Sequence, residues 1–286
     1  FKGGGGYPGL GGSCVNTLAA GSTCTVVVNY NPPSTGPYPD TIEIYYNDGV
    51  LAQIAPRDVV VSGVAPAVLT ISENNPYDYG STINGSSVDY IFTVAFTGGV
   101  NATTVSGGGL AAPFSYKDGS YPGTGGTCGT TIDSGNSGCS IVVTFSPTLV
   151  GVAADTIELS YNNGVTAVLA LRNVIGTGVA PALLGITTAN FPTITVGQVS
   201  GVTLVTVTNS GGTTATSMAH DSFGGDAVFD YEISGLYPGD TGTCGTTLAS
   251  AASCTLAIVY SPTAVLYNTG TFNITYDDGA VVGQTA

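Results

Sequence analysis

The sequence predicts an all-β protein built as tandem antiparallel sandwich repeats. Three observations predict it. First, one block of about 115 residues recurs two and a half times, each copy with a cysteine pair: the first cysteines (Cys14, Cys128, Cys244) lie 114 and 116 residues apart, and the second (Cys24, Cys139, Cys254) 115 and 115. Second, apolar and polar residues alternate with a period of two through the aligned segments, the pattern of a strand with one buried face. Third, no stretch carries a convincing helical period, and Gly, Pro, Asn and Asp clusters separate the segments.

The first element to align is the strand that starts at the second cysteine. Cys24–Tyr30 matches Cys139–Phe145 and Cys254–Tyr260, with Val26/Ile141/Leu256, Val28/Val143/Ile258 and an aromatic on the inward face. Pro32, Pro147 and Pro262 follow two residues later and end it, since proline cannot donate to a ladder. The next strand repeats the alternation: Ile42, Ile44 and Tyr46 match Ile157, Leu159 and Tyr161, then Phe272, Ile274 and Tyr276. It ends in Asn47-Asp48-Gly49, Asn162-Asn163-Gly164 and Asp277-Asp278-Gly279, which predict tight type I′ hairpin turns. A return strand is expected over Val50–Ile54 and Val165–Leu171, and a separate one over Val59–Val61, with a counterpart near Val174-Ile175.

Ser62-Gly63-Val64-Ala65-Pro66 recurs as Thr177-Gly178-Val179-Ala180-Pro181 and marks the junction between repeats. It is short, carries a proline and has no Ser/Gly spacer, so a restricted angle is expected. Beyond it, strands are expected at Leu69–Ser72, Val88–Phe96 and Ala102–Ser106, and at Leu184–Thr187, Val202–Thr208 and Thr214–Met218. The expected domains are a partial repeat (its C-terminal half) over 1–65, a complete repeat over 66–180, and a repeat lacking its final strand over 181–286. Seven or eight short strands per repeat read as an immunoglobulin-like antiparallel β-sandwich. The half-repeats at both ends suggest either a window from a longer array or a subunit completed by strand exchange.

Composition narrows the function. Only 4 residues are Lys or Arg against 18 Asp or Glu, a net charge of −14. That excludes phosphate-neutralising nucleic-acid binding and attraction to anionic membranes. Hydrophobic residues make up 43% of the chain, enough for real cores, while no apolar run approaches the roughly 18–20 residues of a membrane span, so no membrane insertion is expected within this segment. The chain starts at Phe1 inside a repeat, with no initiator Met or signal peptide, and reads as a stretch of something longer. Six cysteines in three regular pairs (Cys14 and Cys24, Cys128 and Cys139, Cys244 and Cys254) point to disulfides and an oxidising compartment. Zinc is the competing reading; a spacing of ten or eleven and a single His fit it poorly.

Gly126-Thr127-Cys128, the loop, and Cys139-Ser140-Ile141-Val142-Val143-Thr144-Phe145-Ser146-Pro147 with Gly151 resemble the choice-of-anchor D repeats of bacterial surface proteins, immunoglobulin-like domains related to Hydin. Gly242-Thr243-Cys244 through Cys254 to Pro262, Leu248, and Thr208-Asn209-Ser210-Gly211-Gly212 share the resemblance. It covers most of the chain and implies a fold, with roles as spacer, adhesin or fibre component.

No constellation repeats as a catalytic set, so no enzyme is expected. His220-Asp221-Ser222 is contiguous, whereas a triad needs convergent geometry. Glu43 and Glu158 lie on outward strand faces, away from the paired arrangement that glycoside hydrolysis needs. Gly3 to Gly6 and Gly107 to Gly109 precede no helix that could hold phosphate. Calcium is the best metal hypothesis, through Asp48, Asp221, Asp226, Asp230, Asp277 and Asp278, against the ordinary reading of turn and surface carboxylates; no cofactor is otherwise expected. An isopeptide link would have only Lys2 and Lys117, with Glu232 nearby in the third copy. Asn84, Asn101 and Asn273 sit in glycosylation sequons. Tyr7-Pro8-Gly9, Tyr121-Pro122-Gly123 and Tyr237-Pro238-Gly239 precede each first cysteine, as a packed loop or as an exposed aromatic lip for a neighbouring subunit or a sugar. The expected role is structural: a repeat segment of an extracellular bacterial surface fibre, filament or stalk, its partners being copies of itself or neighbouring repeats in a polymer. The alternative is an adhesin whose loops grip a surface ligand, a glycan or host protein.

Overall fold

The computed structural model of the chain describes all residues except Lys2, Gly5, Asn136, Ser137, Asp226 and Ala227; the side chains of Asp221 and Ser222 also fall outside the description. In the first block the chain forms one antiparallel hairpin, β1 (Gly36–Asn47) with β2 (Ala52–Gly63). The second block contains β3 (Val68–Ile71), β4 (Tyr77–Ile83), β5 (Val88–Thr97), β6 (Ala102–Gly108), β7 (Phe114–Tyr116), β8 (Thr131–Ile132), β9 (Gly138–Phe145), β10 (Gly151–Asn162) and β11 (Ala167–Val179). The third contains β12 (Leu184–Ile186), β13 (Thr203–Asn209), β14 (Thr216–Gly225), β15 (Phe229–Tyr231), β16 (Ser253–Tyr260), β17 (Gly270–Asp277) and β18 (Gln284–Thr285). The molecule is nearly all β, and its second and third blocks are each built from two sheets.

In the second block two sheets face each other. One has the order β3-β5-β9-β7, the other β4-β11-β10-β6-β8. The alternation read from the sequence builds the space between them: Phe92 and Val94 from β5, Ile141, Val143 and Phe145 from β9, and Ile157 and Leu159 from β10 are fully buried in one cluster. Aromatic rings fill it, with Phe114 stacked on Phe145 at 4.8 Å and Tyr79 tilted against both. The third block repeats the plan with β12-β13-β16-β15 against β14-β17-β18, around Val205, Val207, Met218, Leu256, Ile258 and Ile274.

Four expectations need correction. Cys24–Tyr30 forms no strand in the first block, although its counterparts are β9 and β16. Those strands exist through pairing with β5 and β13, and the first block holds no equivalent of either; a strand is a relation between two segments and not a property of one. The two return strands are one: β2 and β11 run unbroken for 12 and 13 residues. Pro56 is tolerated inside β2 because β1 is its sole neighbour, so one edge is free of ladder bonds. The hairpin turns are not two-residue type I′ turns. Asn47 pairs with Ala52 and Asn162 with Ala167, leaving four-residue loops in which Gly49 and Gly164 take positive φ and neither Asp48 nor Asn163 does. The sandwich is not purely antiparallel either: β4 runs parallel to β11, with a register shift between Asp78 and Ser81.

The junctions are held, not free. The Ala65 carbonyl accepts the Gly99 amide at 2.9 Å, and the Pro181 carbonyl accepts the Gly212 amide at 3.3 Å. The glycine before each is required by close approach: a Cβ on Gly98 would lie 2.4 Å from the Pro66 carbonyl oxygen, and one on Gly211 2.1 Å from that of Pro181. This explains the Gly-Gly element: it is the seat of the incoming junction.

Candidate functional site

The feature built the same way in all three blocks is the stapled loop around each cysteine pair. Cys14–Cys24, Cys128–Cys139 and Cys244–Cys254 are disulfide-bonded, with Cα separations of 4.8, 4.9 and 4.9 Å. The bond is flanked by a second cross-link. The residue before the first cysteine and the one after the second are both hydroxylic, and their oxygens meet: Ser13 with Thr25 at 3.0 Å, Thr127 with Ser140 at 3.1 Å, Thr243 with Thr255 at 3.0 Å. In each block the first of the pair also accepts the amide of the second, at 2.9 Å. The amide of the first cysteine then donates to the backbone carbonyl of Thr25, Ser140 or Thr255.

The Tyr-Pro-Gly element completes the module. The carbonyl of Pro8, Pro122 and Pro238 accepts the amide of Val27, Val142 and Ala257, at 2.9, 2.8 and 2.8 Å. Gly123 is the residue that permits this: its φ is +85°, and a Cβ there would lie 2.2 Å from the Val142 carbonyl oxygen. The tyrosines pack rather than project in the second and third blocks. Tyr121 meets Tyr116 edge-on at 5.7 Å and donates to the Gly129 carbonyl at 3.2 Å; Tyr237 meets Tyr231 edge-on at 5.9 Å and donates to the Gly245 carbonyl at 3.1 Å. Burial raises the Tyr121 hydroxyl to about 12 and pushes Tyr237 up as well. Tyr7 is 42% exposed and meets Phe1 edge-on at 6.0 Å.

The loop also spans the sandwich. Cys139 and Cys254 sit on β9 and β16 of one sheet, while Ile132 on β8 pairs with Ala102 of β6, and Leu248 exchanges both backbone bonds with Ala215, just before β14, at 2.9 Å. Ile132 and Leu248 are buried; their counterpart Leu18 is 58% exposed. In the third block Asn209 reinforces the strap. It is fully buried, donates to the carbonyls of Thr213 and Leu248 (2.8 and 3.0 Å), and accepts from the amides of Leu183 and Gly211 (3.1 and 3.0 Å). The flanking hydroxyl pairs were legible as Ser/Thr on either side of the cysteines, a signal that sequence reading passed over.

The other candidate residues are employed elsewhere or lie apart. His220 packs among Phe223 (4.7 Å), Tyr231 (4.9 Å) and Phe272 (6.4 Å), an aromatic setting; the side chains of Asp221 and Ser222 lie outside the described residues. Glu43 accepts from the Tyr45 hydroxyl at 2.5 Å, and Gly107 and Gly108 are strand residues of β6. The calcium candidates accept nearby backbone amides: Asp48 accepts from the Leu51 and Val50 amides and from Gln53, which holds its carboxyl below the ordinary carboxylate range. Asp278 accepts from Ala280 and Val281, Asp277 from Gly283, and Asp230 from Tyr231. Asp226 lies outside the described residues, among which no three His, Cys, Asp or Glu side chains gather as a metal set. Lys117 forms an ion pair with Asp89 at 2.7 Å, both more than a third exposed, and Glu232 is buried, accepting the Thr241 amide at 2.9 Å; Lys2 lies outside the description. Of the sequon residues, Asn84 is tied to the Leu149 and Val150 backbone and Asn101 to Asp133 and Ser134, whereas Asn273 is exposed on β17. Among the described residues no helix is long and apolar enough to cross a membrane.

No protein-family model matches the chain, and no curated protein is similar to it. Solved structures similar to it include a protein of unknown function from Porphyromonas gingivalis W83 (11% identity, 76% of this chain and 96% of that one, TM-score 0.32) and the extracellular cadherin domains 1–4 of protocadherin gamma B7 (11% identity, 87% and 56%, TM-score 0.38). Another is the Dpr2 Ig1-Ig2 complex with DIP-Theta Ig1-Ig3 (12% identity, 88% and 71%, TM-score 0.24). Likenesses this low carry no functional inference.

Proposed function

We propose that the chain is a structural segment of an extracellular bacterial surface fibre, filament or stalk, made of repeats of the choice-of-anchor D kind. One observation carries the reading: what is repeated three times is a mechanical fastening (disulfide, hydroxyl pair and Pro-carbonyl bond) and not a set of reactive groups. Three disulfides fit an oxidising compartment outside the cell. Each sandwich buries its own core, the staple ties its sheets, and the seated junctions set the spacing. Sparse positive charge keeps nucleic acid and anionic membrane off the list of partners.

Single-molecule extension tests it. The second and third blocks should unfold as separate events whose contour lengths grow on reduction by the locked loop, about 11 residues at roughly 3.5 Å each. Unfolding at negligible force, or no change on reduction, would overturn the mechanical role. A second reading, an adhesin, is favoured by exposed apolar loops at like places in two blocks, Leu149-Val150 and Val265-Leu266 with Tyr267. Saturable binding to glycans or host-cell proteins, lost in Leu266→Ser with Tyr267→Ser, would support it.

A further inference from the structure

The first block presents an apolar face whose counterparts show what covers it. Ile141, Val143 and Phe145 on β9, beside β5 in one sheet, and Ile157 and Leu159 on β10 in the other are each 0% exposed in the core between the sheets; in the first block Val28 is 46% exposed, Tyr30 43% and Tyr46 50%. Two polar groups mark the missing partner. The Tyr161 hydroxyl accepts the Leu69 amide of β3 at 3.0 Å, and the Tyr276 hydroxyl accepts the Leu184 amide of β12 at 3.3 Å. Tyr46 is the third tyrosine in this place, with no such strand above it. Arg172 on β11 donates to the Ile71 carbonyl at the end of β3; Arg57 holds the same register on β2, opposite Ile42 as Arg172 is opposite Ile157, and is exposed. Two front halves are present among the described residues, β3–β8 and β12–β15, and each already covers its own block.

We infer that Val26, Val28 and Tyr30 on one segment and Ile42, Ile44 and Tyr46 on β1, the counterparts of the two walls of the second block's core, form an acceptor for a front half of the same repeat type, a polypeptide with the pattern of residues 66–97. Its β5-like strand pairs with Cys24–Tyr30, and its β3-like strand delivers an amide to Tyr46 and a carbonyl to Arg57. The inference deepens the array reading by naming the partner of the first block, and rests on that reading for the donor's being another repeat.

The test adds a synthetic peptide of residues 66–97 to the full 286-residue chain and follows amide hydrogen exchange over 24–30. The expected result is protection of Val26, Val28 and Tyr30 by about tenfold or more, absent with a scrambled peptide, abolished by Val28→Asp and weakened by Arg57→Ala. No peptide-dependent protection, or equal protection by the scrambled peptide, would overturn the inference. So would concentration-dependent dimerisation that protects the same amides without peptide, since the occupant would then be a second copy. The force-extension result concerns the second and third blocks and stands or falls separately.

Discussion

The hydroxyl of Tyr161, on the last inward position of β10, accepts the backbone amide of Leu69 on β3, 3.0 Å away and 92 residues earlier. The bond joins the two sheets at the end where the junction enters. Tyr276 and Leu184 repeat it. The single bond therefore records whether a block is closed.

Removing that hydroxyl should cost a closed block and spare the open one. Tyr161→Phe leaves the Leu69 amide buried without an acceptor, so the unfolding of the second block should lose about 1–3 kcal/mol. Tyr46→Phe should change stability by less than about 0.5 kcal/mol, since the residue is 50% exposed and no β3 equivalent lies over it. Denaturant unfolding of both variants checks this.

Asn209 is a heavier commitment, because its fully buried side chain makes four hydrogen bonds. Asn209→Ala should destabilise the third block by about 3 kcal/mol or more, by stranding the Leu183 and Gly211 amides and two carbonyls. Asn209→Asp should not rescue it, since a carboxylate cannot donate to Thr213 and Leu248. Thermal melts with and without the single variants decide it.

The staple should be worth close to its loop-closure value. Replacing Cys128 and Cys139 together by Ala should lower the stability of the second block by about 3 kcal/mol, as expected for a loop of this length. Peptide mapping without reductant should find the pairs 14–24, 128–139 and 244–254 in the native chain.

Alkali should unfold the closed blocks through their tyrosines. Burial is the largest cause raising Tyr79, Tyr116, Tyr121 and Tyr231 above the ordinary value of 10, with Tyr121 at about 12. A raised hydroxyl favours the protonated folded state, so the stability is whole below pH 10. It is lost as pH rises from 10 through 12, because the unfolded chain sheds those protons first. Tyrosinate absorbance should therefore rise together with loss of sheet signal, and not before it. Titration well ahead of unfolding would contradict the packing of these rings.

Much of this architecture was legible in the sequence. Ile157, Leu159 and Tyr161 alternate and are buried, and β9 and β16 end two residues before Pro147 and Pro262. What escaped had physical reasons. Cys24–Tyr30 has the residues of β9 without the partner of β9. β4 pairs in parallel with β11, and the alternation of Tyr77–Gly80 is broken by a register shift between Asp78 and Ser81. Asp48 and Asn163 cap four-residue loops with their own carboxylate or amide oxygen, a choice that Asp-Gly and Asn-Gly alone do not distinguish from a type I′ turn. The hydroxyl pairs beside the disulfides were visible as letters, but only their 3.0–3.1 Å contacts reveal a second fastening.

Amide hydrogen exchange on the intact chain tests the central claim most directly, because one motif occurs three times with and without its pairing strand. The account predicts that the amides of Ile141, Val143 and Phe145 and of Leu256, Ile258 and Tyr260 exchange slowly while those of Val26, Val28 and Tyr30 exchange near the unprotected rate. Equal protection of all three segments in the monomeric chain would contradict it.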